Sequence, residues 1–244
     1  MCRANLKTGP QPQKPRICLV IPALNEEKTI YEVVSRALSL DRDLKVVVID
    51  DGSTDRTADM ARKAGAEVIK FEENRGQWEA LKAGFDFALR KGYDIVVTMD
   101  ADGQHDPADI PALIKPIERW EADLVIGSRL RDGRGRRVML PYRYVGIKVF
   151  SWLLSSLMGR KLTDVMSGYR AYRSDLLRSL IRRLNERQYG VLEATLLAWK
   201  LGARICEIPV KPRARRASKK GSLRFLFNLC RVLLKTLASI ALVR

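Results

Sequence analysis

Short apolar runs recur through the first half of the chain, separated by polar loops and amphipathic stretches. Residues 17–21, 46–49, 67–71, 95–99 and 123–127 each read as a strand. Between them, residues 27–40, a segment ending near Ala64, residues 78–91 and a segment opening near Pro107 read as helices. Strands that are apolar at almost every position need cover on both faces, and the intervening helices supply it. The pattern therefore predicts an α/β fold with a mostly parallel central sheet flanked by helices. Ligands of such sheets bind beyond the carboxyl ends of the strands, where the loops after strands one, two and four are expected to converge.

The second half has a different texture. Residues 129–143 form a Gly- and Arg-rich loop, 163–172 a polar turn region, 191–201 a helix and 205–210 a late strand, followed by a basic loop over 211–220. Two apolar segments, 142–158 and 223–244, have helical periodicity with a narrow polar stripe. In the first the stripe is Tyr144, Lys148, Ser151 and Ser155; in the second it is Arg224, Asn228, Arg231 and Lys235. Both are expected to lie as amphipathic helices in a membrane interface, their basic side chains reaching the headgroups. Each Lys or Arg near an anionic surface adds about 1 kcal/mol. No uninterrupted apolar run reaches the length of a conventional span. The expected organisation is a loose tail over 1–15, one catalytic domain over 16–220 that includes an interface helix at 142–159, and a membrane-associated helix over 221–244.

Composition narrows the partners. A length of 244 residues fits one large domain, and a formal net charge of +17 directs it towards polyanions: nucleic acid, anionic lipid or phosphorylated substrates. A nucleic-acid-binding module would want aromatic residues interleaved with the basic ones, and the acidic loops would repel a nucleic-acid backbone, so no nucleic-acid partner is expected. Cys2, Cys18, Cys206 and Cys230 are too scattered for a zinc site or a disulfide framework, which fits a reducing, cytoplasmic compartment.

The candidate chemistry lies in the acidic loops. Asp100, Asp102 and Gln104 follow the fourth strand and offer hard oxygen ligands for Mg²⁺ or Mn²⁺. The plainer reading is a turn in which Asp106 caps the helix that opens at Pro107. Asp50 and Asp51 end the second strand, where a carboxylate can accept hydrogen bonds from a ribose or base, with Ser53 or Thr54 as the cap of the next helix. Residues 22–27 can hold the base in the same way. His105, the only histidine, either touches phosphate or flanks a helix. Arg131, Arg134, Arg136, Arg137 and Arg170, with Ser167, are available for a second phosphate.

Three motifs, Ile17-Cys-Leu-Val-Ile-Pro-Ala-Leu-Asn-Glu-Glu, Val48-Ile-Asp-Asp-Gly-Ser-Thr-Asp and Asp100-Ala-Asp-Gly-Gln-His, resemble those of the family 2 glycosyltransferases. Gly127-Ser-Arg, Asp164-Val-Met-Ser-Gly-Tyr-Arg, Glu207-Ile-Pro-Val and Arg213 followed by Ser218-Lys219 extend the resemblance to the family's polyprenyl-phosphate branch, which includes dolichol-phosphate mannose synthases. The resemblance implies a GT-A-like nucleotide-binding fold. Pro22, Leu24 and Glu26 would hold the nucleotide base, flanked by Ile49 and Asp51, with Asp100 and Ala101 also on the nucleotide. Asp100, Asp102 and Gln104 would bind metal and diphosphate, while Arg129, Arg213 and Lys219 would contact phosphates. Asp102 and Arg129 are the implied catalytic residues, and inversion at the anomeric carbon the implied outcome.

The implied partners are a nucleotide sugar, foremost GDP-mannose, a polyprenyl or dolichyl phosphate acceptor, and the cytoplasmic face of a membrane, held peripherally with or without a separate anchoring subunit. Leu24 stands where an aromatic residue is frequent and Arg216 where glycine is usual, which keeps a UDP-glucose-dependent reading open. The Gln-x-x-Arg-Trp signature of the processive polysaccharide synthases is missing from the chain. The Gly-rich opening loop of the sugar nucleotidyltransferases is replaced here by Pro-Ala-Leu-Asn-Glu-Glu.

Overall fold

The computed structural model describes residues 14–40, 43–133, 135, 139–184 and 190–213. The predicted C-terminal helix, the N-terminal tail up to residue 13, and Arg134, Arg136, Arg137, Arg216 and Lys219 lie outside these residues.

The elements follow the predicted alternation. In chain order they are β1 (Ile17–Ala23), α1 (Ile30–Leu38), β2 (Lys45–Asp50), α2 (Thr57–Lys63), β3 (Glu67–Lys70), α3 (Gln77–Arg90) and β4 (Ile95–Thr98). A 3₁₀ turn over Pro107–Asp109 then leads into α4 (Ile110–Glu118), followed by β5 (Leu124–Ser128) and α5 (Pro141–Met158). The remaining elements are β6 (Arg170–Arg173), α6 (Ser174–Ile181), α7 (Gly190–Lys200) and β7 (Ile205–Pro209).

The strands form one seven-stranded sheet in the order β3-β2-β1-β4-β6-β5-β7. Its neighbours pair in parallel except for β6, which runs antiparallel to both β4 and β5. Alternate residues of the strands fill two cores. Val20, Val47 and Val96 pack with Trp78, Phe85 and Leu177 on one face. Leu19, Ile21, Val48 and Val97 pack with Ile30, Val34 and Leu113 on the other.

The close seating of α3 on β1 depends on Gly84, where an added Cβ would lie 2.2 Å from Cγ1 of Val20. Gly84→Ala gains helix propensity of about 1 kcal/mol but must displace a buried valine in the middle of the sheet. Overpacking of about 2–3 kcal/mol is expected to dominate and to lower the melting temperature by roughly 4–8 °C. Thermal unfolding followed by circular dichroism checks this; an unchanged or raised midpoint would show that the interface yields.

Three sequence expectations are corrected. Residues 163–172 are not a polar turn throughout, because their end becomes β6, whose four residues are all buried. Arg170 within it and Arg173 just after it find partners inside. Arg170 donates to the carbonyls of Ser167, Val165 and Val191 and to Oγ1 of Thr195. Arg173 reaches Asp123 and the carbonyls of Ile117 and Ala122.

The polar stripe of α5 does not stay on one face: Lys148 is exposed, but the serines turn inward. Ser151 is buried and its Oγ accepts the N–H of Val165, while Oγ of Ser155 exchanges hydrogen bonds with both backbone groups of Leu162. Apolar Val145, Val149 and Trp152 share the outward positions with Lys148. A serine that bonds backbone is as well placed inside as an apolar residue, so periodicity alone did not separate the inward serines from the exposed lysine.

Helix α2, finally, is not capped by Ser53 or Thr54. Asp55 accepts the N–H of Thr57, while Ser53 and Thr54 bond across to Asn25.

Candidate active site

The loops after β1, β2 and β4 converge at the carboxyl edge of the sheet and are sewn together. The N–H of Asn25 donates to Oγ of Ser53 at 3.0 Å, and that of Glu26 to Oγ1 of Thr57 at 2.8 Å. Asp51 accepts the N–H groups of Arg75 at 2.7 Å and Gly76 at 3.0 Å, which fixes the entry to α3. These bonds explain why α1 starts at Ile30 and not at 27: the residues before it are committed to the neighbouring loop.

The cleft they enclose has a volume of about 1040 Å³. Its lining includes Pro22, Leu24, Glu26, Asp51, Asp100, Ala101, Asp102, Gln104, Arg129 and Arg213, all singled out in the sequence. Ile49 is buried within β2 and is not part of that lining.

The carboxylates are set deliberately. Asp100, with a side chain 34% exposed, accepts Nε2 of Gln77 at 2.9 Å and lies 3.5 Å from Nε2 of His105. Gly168 on the antiparallel turn leaves it room: a Cβ there would come within 3.3 Å of both oxygens. Burial pushes the Asp100 carboxyl up, but the His105 ring, the Arg129 charge and the Gln77 amide together hold it below the usual carboxylate range. Asp102 accepts the N–H of Gln104 at 3.1 Å, and the carbonyl of Gln104 accepts the N–H of Arg213 at 2.9 Å. His105 is buried behind Asp100 against Tyr169, with ring centroids 4.9 Å apart, and does not line the cleft. Asp106 does accept the N–H of Ala108, as a cap should, and also pairs with Arg36 and Arg213 at 2.6 Å each.

Hard oxygen donors on adjoining residues, held by hydrogen bonds and open to the cleft, fit a divalent cation. Among the described residues no group of three or more His, Cys, Asp or Glu side chains is clustered for a metal.

Arg129, directly after β5, is bound to Asp164 through Nε at 2.7 Å, Nη2 at 2.9 Å and its own N–H at 3.0 Å. Burial disfavours its charge, but Asp164 first, then Asp100 and Asp102, outweigh that and raise its pKa. The antiparallel direction of β6 carries the turn before it, with Asp164, Met166 and Gly168, to the same edge of the sheet as the parallel loops.

Other predicted phosphate ligands are placed elsewhere. Arg170 and Ser167 are fully buried, and the guanidinium of Arg170 is spent on backbone carbonyls and Thr195, so neither faces the cleft. Arg131 is tied by Nη1 to the carbonyl of Glu207. Conversely, Gln77, Trp78 and Arg143, together with Met139, Leu140, Ile147 and Met166, line the cleft without having been singled out for it. Gln77 and Trp78 open a predicted helix just after a turn, which was the available signal. The apolar wall from the start of α5 had none, since only the tertiary packing turns it inward.

The family model described as Glycosyl transferase family 2 matches residues 18–181. An undecaprenyl-phosphate mannosyltransferase of Micrococcus luteus is 36% identical over 80% of this chain and 82% of its own length. A UDP-N-acetylglucosamine–dolichyl-phosphate N-acetylglucosaminyltransferase of Methanococcus voltae is 34% identical over 80% of this chain and 84% of its own. Among solved structures, glucosyl-3-phosphoglycerate synthase from Mycobacterium tuberculosis, crystallised with Mn²⁺, UDP and glucosyl-3-phosphoglycerate, superposes with a TM-score of 0.74. It is 27% identical, and the match covers 92% of this chain and 79% of that one.

Proposed function

This chain belongs to glycosyltransferase family 2, and from that premise we propose that it transfers a hexose from a nucleotide sugar to a polyprenyl phosphate at a membrane surface. The observation that carries the reading is the composition of one cleft. Its lining joins the polar groups Asp100, Asp102 and Arg129 to the apolar side chains of Met139, Leu140 and Ile147. An acceptor that is anionic at its head and apolar in its tail matches both kinds of lining.

The chemistry asks little acid–base work of the protein. A lipid phosphate has a second pKa of about 6 and is largely dianionic at neutral pH, so its oxygen attacks without a general base. That oxygen bonds to the anomeric carbon as the bond from this carbon to the diphosphate oxygen breaks. The nucleoside diphosphate leaves with the electron pair, and the configuration inverts. Two anionic phosphates must meet for this to happen, so cationic groups have to hold them. Arg129 and Arg143 both line the cleft, and in this reading Arg129 takes the diphosphate and Arg143 the acceptor phosphate. Asp100 and Asp102, beside Gln104, would hold Mg²⁺ or Mn²⁺, which when bound would neutralise charge on the departing diphosphate. The base sits between the residues after β1 and Asp51.

The exposed face of α5 faces the lipid. Val145, Val149 and Trp152 are 57%, 53% and 68% exposed on successive turns, with Leu157 further along. Arg143, Lys148, Arg160 and Lys161 flank them. The proposed contact is peripheral; no helix among the described residues is long and apolar enough to cross a membrane.

GDP-mannose is the proposed donor, and the mannosyltransferase relative supports mannose as the sugar. A UDP-sugar is the second reading, favoured by the Methanococcus voltae relative and by UDP in the M. tuberculosis structure. Transfer of radiolabel from GDP-mannose, UDP-glucose and UDP-N-acetylglucosamine to polyprenyl phosphate, with Mn²⁺, Mg²⁺ or a chelator, tests both. Metal-dependent labelling of lipid from GDP-mannose alone is the expected result. Labelling only from a UDP-sugar would replace the donor, and labelling from none would remove the lipid-phosphate acceptor.

A further inference from the structure

A single buried carboxylate governs the placement of Arg129. Asp164 is 0% exposed, and burial pushes its carboxyl up. The charge and hydrogen bonds of Arg129 overcome this and hold it well below the usual carboxylate range. Oδ1 takes Nη2 of Arg129, while Oδ2 takes both Nε and the backbone N–H of the same residue. The head group and the main chain of Arg129 are therefore pinned to one point. Nη1 makes no hydrogen bond among the described residues, and Arg129 lines the cleft, under the charge of Asp100 and Asp102.

Asp164 is itself anchored. Glu207 on β7, level with Ile126 of β5, accepts the N–H of Thr163 at 2.8 Å, its hydroxyl at 2.7 Å and the N–H of Asp164 at 2.9 Å. A relay of two carboxylates thus runs from the sheet edge to the guanidinium.

Stability alone does not account for this arrangement. Burying an ion pair costs several kcal/mol per ion in desolvation, and well-packed apolar residues in its place are frequently as stable or more so. What a three-point clamp adds is position.

We propose that Asp164 is the positioning residue of the transfer reaction, aiming the Nη1 edge of Arg129 at the diphosphate of the donor, with Glu207 setting the turn that carries Asp164. The proposal rests on the reading above for what Arg129 touches. Its distinctive consequence is that arm length matters while charge is kept. Asp164→Glu preserves the ion pair but displaces the guanidinium by about the length of one methylene, and a misplacement of about 1 Å can cost roughly 10²-fold in rate.

The test uses the full-length protein with Arg129→Ala, Asp164→Glu and the double variant. The readouts are kcat, donor KM and the affinity for Mn²⁺ with GDP or UDP by calorimetry, which does not depend on the acceptor. Asp164→Glu is expected to lower kcat about 10- to 100-fold, with donor KM within threefold and the melting temperature within a few degrees. The double variant is expected to be no slower than Arg129→Ala alone, since Asp164 acts only through Arg129. Losses that multiply in the double variant would overturn the proposal, and so would a folded Asp164→Glu at the wild-type rate while Arg129→Ala is impaired. Arg129→Ala at the wild-type rate and affinity would overturn this proposal together with the role of Arg129 in the reaction. If Asp164→Glu does not fold, Glu207→Gln moves the same turn without touching Arg129. It is expected to lower kcat severalfold at unchanged KM, and a wild-type kcat there would count against the relay.

Discussion

Asp102→Ala is expected to lower sugar transfer about 10³-fold or more while leaving the fold and the melting temperature nearly unchanged. Metal neutralisation of a departing diphosphate is worth several kcal/mol in the transition state, and each 1.36 kcal/mol is a factor of about ten in rate. Of the two carboxylates Asp102 gives the cleaner test. Asp100 is braced by Gln77 and His105 and packed against Gly168, so its removal also disturbs the wall of the cleft. Asp102 accepts the N–H of Gln104, two residues on in the same turn. Steady-state rates with saturating metal, together with calorimetric binding of Mn²⁺ in the presence of nucleoside diphosphate, check the prediction. A variant that keeps metal binding and loses less than tenfold in rate would place the metal elsewhere.

The second large effect concerns the membrane. Val149→Asp combined with Trp152→Asp is expected to weaken partitioning onto vesicles containing anionic lipid by about 10²-fold or more. Each of these half- or more-exposed side chains contributes on the order of 1–2 kcal/mol when its apolar surface leaves water, and an aspartate in its place adds repulsion from anionic headgroups. Both residues point away from the core, so the melting temperature should hold. Transfer to a short-chain, water-soluble polyprenyl phosphate should stay within a few fold, because neither residue lines the cleft. Vesicle sedimentation and the two transfer assays separate the outcomes. Undiminished vesicle binding would assign membrane contact to another part of the chain, while loss of activity on the soluble acceptor would mean that α5 supports the cleft itself.

Much of this was legible without coordinates. Runs such as Cys-Leu-Val-Ile and Val-Val-Val-Ile are apolar on both faces, and only a sheet covered on both sides buries them. Once helices separate such strands, the loops after β1, β2 and β4 must emerge at the same edge. The joint presence of Asp51, Asp100 and Asp102 in one cleft was therefore determined by order along the chain. The Asp106 cap was likewise local, since it depends on a neighbour two residues on.

What the sequence could not decide is the fate of polar residues whose partners are remote. Arg170 read as a phosphate ligand and is buried, because acceptors from another element take its guanidinium. Ser151 and Ser155 read as the wet side of α5 and face inward, because the backbone of residues 162–165 bonds them. Asp164 and Arg129 are 35 positions apart, and Asp164 and Glu207 are 43 apart. Periodicity records which residues avoid water. It does not record which charges will find each other in its absence, and only the antiparallel insertion of β6 between β4 and β5 brought Asp164 beside Arg129.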